Sequence, residues 1–238
     1  MSAEFAKLRY LAFPKWTAVA VLAAAVVVGV ALLVFSPSDP KWYETTPAIV
    51  LTLVLPLAGI TLGAWIATLE FASGTMQRTL TAEPDRHRVL WSKLLVVLIA
   101  MALIALAAVA AGFGLADFAA HRASVAIDDA DLGRHLFSEV PQALSATALG
   151  FAVGLLTRSI GGGIAGGFAL SFVLDGALRA IPAVGDYTYG QLSGDLAGAI
   201  SGGTETINGP AIALVGTIAW VVVLLLPGWI RFARGDLR

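Results

Sequence analysis

The amino-acid sequence predicts an all-α, polytopic membrane protein, with six transmembrane helices and a cytoplasmic helix between the second and third spans. Hydrophobic residues make up 58% of the chain and charged residues only 13%, whereas a soluble domain carries about 25% charged residues. Mean hydropathy is +0.84. Apolar runs of about twenty residues recur, which is the length that a bilayer core demands of a helix. The net charge of −1 gives no reason to expect a nucleic-acid partner, and residues 1–238 are predicted to form one domain.

Residues 1–15 are predicted to form an amphipathic helix in the membrane interface, because Phe5, Leu8 and Leu11 share a helical face. A frayed tail is the alternative. The first span follows and ends at Phe35. After a short loop, Ser36–Thr46, the second span is predicted over Pro47–Leu69.

Pro56 lies inside the second span, where its missing amide donor predicts a kink. The third span is predicted over Leu94–Ala116. A polar loop, Asp117–Leu136, then carries clustered aspartates at 128, 129 and 131. Such carboxylates suit a divalent cation, but a solvated acidic loop is the favoured interpretation, because their spacing matches no known metal-binding loop.

The fourth span is predicted over Phe137–Thr157, and a very short connection, Thr157–Ser159, leads to the fifth, Ile160–Ile181. Glycines four residues apart give the fifth span a flat face that lets another backbone approach closely. This face contacts either the transport pathway and a second subunit, or other helices of the same chain; the sequence leaves both open. The glycines are Gly162, Gly163, Gly166 and Gly167.

Asp175 is the acidic residue placed deep within a span, which makes it a functional candidate. Arg179 lies four residues further on the same helical face, so a structural ion pair is favoured over a proton or substrate site. The segment 182–209 is rich in Gly, Ser, Asp and Thr and long for a loop. The sixth span is predicted over Pro210–Trp229.

The distribution of basic residues predicts that both termini are cytoplasmic, because cytoplasmic loops carry an excess of Lys and Arg. With this topology eleven basic residues lie inside and four outside. The inner ones are Lys7, Arg9, Lys15, Arg78, Arg86, Arg88, Lys93, Arg158, Arg231, Arg234 and Arg238, and the outer ones Lys41, Arg122, Arg134 and Arg179.

Several catalytic chemistries are missing from the sequence. It contains no cysteine, no phosphate-binding loop of the G-x-x-x-x-G-K-[ST] type, and no H-E-x-x-H or G-x-S-x-G motif. We therefore expect a non-catalytic chain with no resident metal and no cofactor, and keep an intramembrane enzyme only as an alternative. Two function classes remain: a transport permease driven by another subunit, or an intramembrane enzyme or passive structural subunit.

The polar stretch Glu70–Lys93 decides between them. It lies between two apolar runs, and its first part, through Ala82, is predicted to be a short helix outside the lipid. Its residues resemble the loop after the second span of exporter-type (type-2) ABC transporter permeases. The resemblance rests on Glu70, Gly74, Thr75, Leu80, Pro84, Arg86 and Lys93, whereas Asp85 stands where that family usually has Ser or Thr.

The resemblance implies an ATP-driven exporter in the cell inner membrane, with an apolar or amphipathic cargo. It implies that residues 70–93 form a coupling helix and loop that dock onto a separate ABC ATPase subunit, which binds ATP and Mg²⁺. It also implies a second permease copy or a homologous permease, a pathway lined by the second and fifth spans, and a re-entrant segment over residues 182–209. The implied coupling residues are Glu70, Gly74, Thr75, Arg78, Leu80, Pro84, Arg86 and Lys93.

Glu70 has three possible roles. Its carboxylate could stabilise the positive N-terminal end of the coupling helix, a contribution of roughly 0.3–1 kcal/mol. It could pair with a basic residue of the ATPase or with Arg78, Arg86 or Arg88 of its own loop. It could also be an ordinary interfacial charge, since exposed ion pairs contribute roughly 0–1 kcal/mol. We expect it to link ATP hydrolysis to transport.

Overall fold

The computed structural model describes residues 12–36, 38–75, 85–182, 184–203 and 206–234, without the side chain of Arg234. This part of the chain is all helical and has no strand. Within it, six helices are long and apolar enough to cross a membrane: Ala12–Phe35, Pro40–Ala72, Arg86–Arg122, Asp129–Thr157, Ile160–Arg179 and Pro210–Ala233. The predicted fold class and the number of spans are confirmed. Most of the predicted interfacial helix, residues 1–11, lies outside the described residues.

The predicted loop Ser36–Thr46 is wrong over most of its length, because the second span begins at Pro40. Asp39 caps this helix by accepting a hydrogen bond from the amide of Lys41 at 3.0 Å. Proline at the first helical position costs no hydrogen bond, because that amide would have no partner within the helix. The helix continues through Pro47 and Pro56 to Ala72.

The third span and the acidic loop also differ from the prediction. The third span begins at Arg86 rather than Leu94 and extends to Arg122. The following residues contain a second helix, Asp129–Phe137, so the predicted loop Asp117–Leu136 is mostly helical. Asp128 caps that helix by accepting from the amides of Ala130 and Asp131. The polar composition led to the prediction of a loop. The acidic residues are nevertheless compatible with a helix, because Asp128 caps it and Asp131 pairs with Arg134.

The remaining predicted spans are close to the observed ones. The fourth span is completed by the helix Glu139–Thr157 and the sixth is Pro210–Arg234. The fifth contains a π-helical stretch, Ala169–Leu174. The predicted outer segment 182–209 contains the helix Tyr189–Ser201. Asp195 of this helix holds the chain just before the sixth span, because its carboxylate accepts hydrogen bonds from the amides of Ile207 at 3.2 Å and Asn208 at 3.0 Å.

The core of the bundle is a close contact between the second and fourth spans. A methyl group added to Gly59 would lie 2.8 Å from the carbonyl oxygen of Ala143, and one added to Gly63 would lie 2.8 Å from the amide nitrogen of Phe151. A methyl group at Gly150 would similarly lie 2.6 Å from Cα of Ile60. The two backbones therefore meet through glycines on both helices, the contact that membrane helices use when lipid gives no hydrophobic drive for association.

The fifth span packs onto this contact through two of its predicted glycines. A methyl group on Gly163 would lie 3.0 Å from both Cβ of Ala64 and Cα of Gly154, and one on Gly167 would lie 2.5 Å from Cγ2 of Ile60. The sequence left open whether these glycines contact a pathway and a second subunit or other helices of the same chain. In the structure, Gly163 and Gly167 contact helices of the same chain.

We predict that Gly63→Ala destabilises the protein by about 1–3 kcal/mol, because the added methyl group meets backbone atoms that move only if the two helices separate. Gly114→Ala is the matched control, since a methyl group there has no neighbour within 4 Å, and it should change stability by less than about 0.5 kcal/mol. Thermal unfolding of both variants in one detergent measures the difference. Equal stabilities would contradict the proposed packing.

Candidate functional site at the basic end of the bundle

The candidate site lies where the second span ends and the third begins, at the end of the bundle that we call the basic end. The second span stops in a Schellman motif. Gly74 adopts a left-handed conformation with φ of 67°, its amide donates to the carbonyl of Phe71 at 3.3 Å, and the amide of Thr75 donates to the carbonyl of Glu70 at 3.0 Å. Gly74 and Thr75, predicted as coupling residues, thus have a local structural role as the helix terminus.

Asp85 begins the third span. Its carboxylate accepts hydrogen bonds from the amides of His87 at 3.0 Å and Arg88 at 3.2 Å. Ser, Thr and Asp are all strong N-cap residues because each places an oxygen near these amides. Asp85 therefore caps the third span as the usual Ser or Thr would.

Glu70 and Lys93 form a buried ion pair that joins these two helices. The Glu70 carboxylate lies 3.2 Å from Nζ of Lys93, and the two side chains are 4% and 1% exposed. Glu70 belongs to the last turn of the second span, so its predicted place at the N-terminus of a coupling helix is wrong. At a helix C-terminus the dipole repels a carboxylate, and the Lys93 ammonium compensates for that repulsion.

The end of the sixth span closes the same region. Arg86 donates from one guanidinium nitrogen to the carbonyls of Phe232 at 3.0 Å and Ala233 at 3.3 Å. Phe232 is buried and meets the ring of Phe71 edge-on at 6.0 Å. The indole of Trp229 donates to Nδ1 of His87 at 2.7 Å. Contacts from the second, third and sixth spans thus surround both ends of the connection 73–85.

Three predicted coupling residues, Arg78, Leu80 and Pro84, lie outside the described residues, as does most of the predicted helix over 70–82. The structure places Glu70, Gly74, Thr75, Arg86 and Lys93 together at the two ends of that segment. Of the predicted helix, residues 70–72 belong to the second span and residues 73–75 form its terminus.

The predicted pathway residues are distributed over the interior of the bundle. Pro56 is half-buried within the second span. Gly166 faces Cγ1 of Val153, to which an added methyl group would be 2.8 Å, and Gly162 faces Thr157 of the preceding helix. Their contacts are with this chain, and a role in a pathway stays a prediction.

Asp175 and Arg179 form the predicted ion pair, with 2.8 Å between Oδ2 of Asp175 and Nε of Arg179. The other Asp175 oxygen accepts from the amide of Gly190 at 2.6 Å, which is in the first turn of the helix Tyr189–Ser201. The pair therefore fastens this helix to the fifth span, directly after the π-helical stretch. Tyr189 extends the contact through a 2.9 Å hydrogen bond with Ser145.

Sequence reasoning missed the glycines of the second and fourth spans. Gly59 with Gly63, and Gly150 with Gly154, have the same four-residue spacing that was noticed in the fifth span. Two further signals were available, the Ser73-Gly74 dipeptide that ends a helix and the Asp85 that starts one. Together they would have extended both spans toward their observed ends.

Comparison with known proteins gives one family. The model described as "ABC-2 family transporter protein" matches residues 1–173, which contain the first four spans, the Glu70–Lys93 stretch and most of the fifth span. A search of curated proteins gives no match.

We predict that Glu70→Gln or Lys93→Met alone lowers the free energy of unfolding by about 3 kcal/mol, because each leaves the other charge buried. The double variant Glu70→Gln/Lys93→Met should recover most of that loss, since neither charge remains. Thermal unfolding of the four proteins in one detergent gives the coupling between the two positions. Additive losses in the double variant would show that the two charges do not depend on each other.

Proposed function

This chain belongs to the ABC-2 family of transporter proteins, and we propose that it is the membrane subunit of an ATP-driven exporter whose connection 73–85 docks onto a separate ATPase subunit. The family match and the six membrane helices support a permease subunit. The docking role is carried by one observation, the buried Glu70–Lys93 pair at the base of the connection. ATP and Mg²⁺ bind to the ATPase subunit, and this chain is not itself catalytic.

We place the protein in the inner membrane of the cell. The basic end then faces the cytoplasm. The excess of Lys and Arg on that side supports it. Both termini are then cytoplasmic, and the helix Tyr189–Ser201 lies on the outer side. The same proposal includes a re-entrant segment over residues 182–209 on the outer side.

The coupling follows from how the ends of the connection are held. A Schellman motif fixes the end of the second span, and the Asp85 cap fixes the start of the third. The Glu70–Lys93 pair joins the last turn of the second span to the third span, about two turns after the third span begins. A force applied to the connection by the ATPase is therefore transmitted to both spans together, and the second span transmits it to the fourth through their glycine contact.

The proposed assembly contains two permease subunits and two ATPase subunits. One bundle of six helices has too few helices to enclose a pathway by itself. ATP closes the ATPases, the two connections move together, and the spans open toward the outside. An apolar or amphipathic cargo suits this chain, because fixed charges are sparse within its spans.

A tagged chain, purified from its native membrane together with any bound ATPase subunit, provides the direct test. We expect the two to copurify, with ATP hydrolysis in the complex and none in the isolated permease. Hydrolysis by the permease alone, or an active transporter that lacks any ATPase, would contradict the proposal.

The Glu70–Lys93 pair gives a sharper prediction within the same complex. Glu70→Gln/Lys93→Met should still bind the ATPase but lose the change in hydrolysis rate that the parent permease produces. Asp131→Asn/Arg134→Gln is the control, because that pair, 2.7 Å apart, is solvent-exposed and lies far from the basic end in the fold. If hydrolysis in the double Glu70/Lys93 variant matches the parent, the pair is structural only.

A further inference from the structure

Two arginines at the basic end face each other without a carboxylate between them. Arg158 forms the turn between the fourth and fifth spans, and Arg231 lies in the last turn of the sixth span. Arg158 donates to the carbonyl of Arg231 at 3.2 Å, and Arg231 donates to the carbonyl of Leu156 at 3.0 Å. Among the described residues, neither guanidinium has an acidic partner within 4.0 Å.

These hydrogen bonds explain part of the arrangement, because each arginine neutralises the negative end of a neighbouring helix. They leave most of the donors unused. A guanidinium has five N–H groups, and each of the two uses one nitrogen for a carbonyl. Burial, and then the positive charge of Arg231, lowers the pKa of Arg158, so the two charges repel each other where they stand.

The backbone of Arg158 gives an independent reason to look for a ligand. Its φ is 53°, in the left-handed region that ends the fourth span. Glycine is the usual residue at such a helix terminus because a side chain raises the energy of this conformation. Arg158 therefore occupies a position that the backbone conformation alone would favour for glycine. Its guanidinium is also held over the Phe71 ring, 5.4 Å from the centroid.

The residues around Arg158 and Arg231 are those typical of a membrane interface. Trp229 lies two residues before Arg231 and meets Trp91 edge-on at 5.1 Å, and tryptophans of this kind mark the headgroup level of a bilayer. On the side of the sixth span that carries Arg231, an apolar stripe formed by Val223, Leu224 and Pro227 continues along the helix, and its residues are exposed or half-buried. A ligand that fits both parts has an anionic head and an apolar tail.

The geometry points to a binding site for the phosphate group of an anionic phospholipid, formed by Arg158 and Arg231, with the lipid tail along the sixth span. Arginine suits this ligand because its planar fork donates two parallel hydrogen bonds to phosphate oxygens. An acidic surface of a partner protein would need no apolar stripe beside the arginines, so the lipid is the better match. The site does not depend on the proposed transport function.

The test measures retention of phosphatidylglycerol and phosphatidylcholine by the full chain in detergent, using native mass spectrometry. The variants are Arg158→Gly, which also relieves the left-handed backbone, Arg231→Gln and the two combined. Arg134→Gln is the control, because that arginine already pairs with Asp131 elsewhere in the fold. We expect phosphatidylglycerol to bind about fivefold more weakly to each single variant and about thirtyfold more weakly to the double variant.

A second measurement keeps the test decisive if a variant folds poorly. Binding of phosphatidylglycerol to the parent chain should weaken as salt is raised, since ions screen the exposed charges. The proposal is overturned if the parent binds both lipids equally, if inorganic phosphate displaces the lipid at the lipid's own concentration, or if the double variant retains phosphatidylglycerol like the parent. Loss of ATPase copurification with unchanged lipid retention would also overturn it, in favour of a protein contact.

Discussion

The interior of a bilayer offers no water to a charged group and no hydrophobic drive for one helix to bind another. Both main features of this structure follow from that constraint. The second and fourth spans approach each other through Gly59, Gly63 and Gly150, where bare backbone gives enough van der Waals contact to hold two helices together. Glu70, at the end of the second span, is buried against the Lys93 ammonium, which balances its charge. We expect the glycine contact to weaken when one of its glycines is replaced, and the ion pair to be lost when either charged residue is replaced.

The two features form one mechanical unit. The glycine contact fixes the second span to the fourth, and the fifth span packs on both through Gly163 and Gly167. The ion pair fixes the second span to the third, and Arg86 extends the contact to the end of the sixth. The connection 73–85 therefore emerges from a base to which most of the bundle contributes. In the proposed transporter, an ATPase that acts on this small segment would therefore act on most of the bundle.

The sequence predicted the number and order of the membrane spans well, because hydropathy reports burial in lipid directly. It predicted helix ends poorly. The third span begins eight residues before the expected Leu94, since Arg86, Arg88 and Lys93 look like loop residues until their caps and partners are known. The partner of Glu70 was also missed, because Lys93 was counted as a loop cation and pairing across two helices depends on tertiary structure. The Asp175–Arg179 pair was predicted because both residues lie on one helix at a fixed spacing.

The central claim is that the ends of the connection 73–85 move as one body. The chain contains no cysteine, so Ser73→Cys/Arg88→Cys carries spin labels at two defined places, and dilution with unlabelled chains isolates the distance within one subunit. Pulsed electron paramagnetic resonance of the complex with its ATPase, with and without ATP, measures that distance directly. The account predicts one distance distribution in both states, while labels at Ser73 alone report a changed distance between the two subunits. A Ser73–Arg88 distance that changes on ATP binding would contradict it.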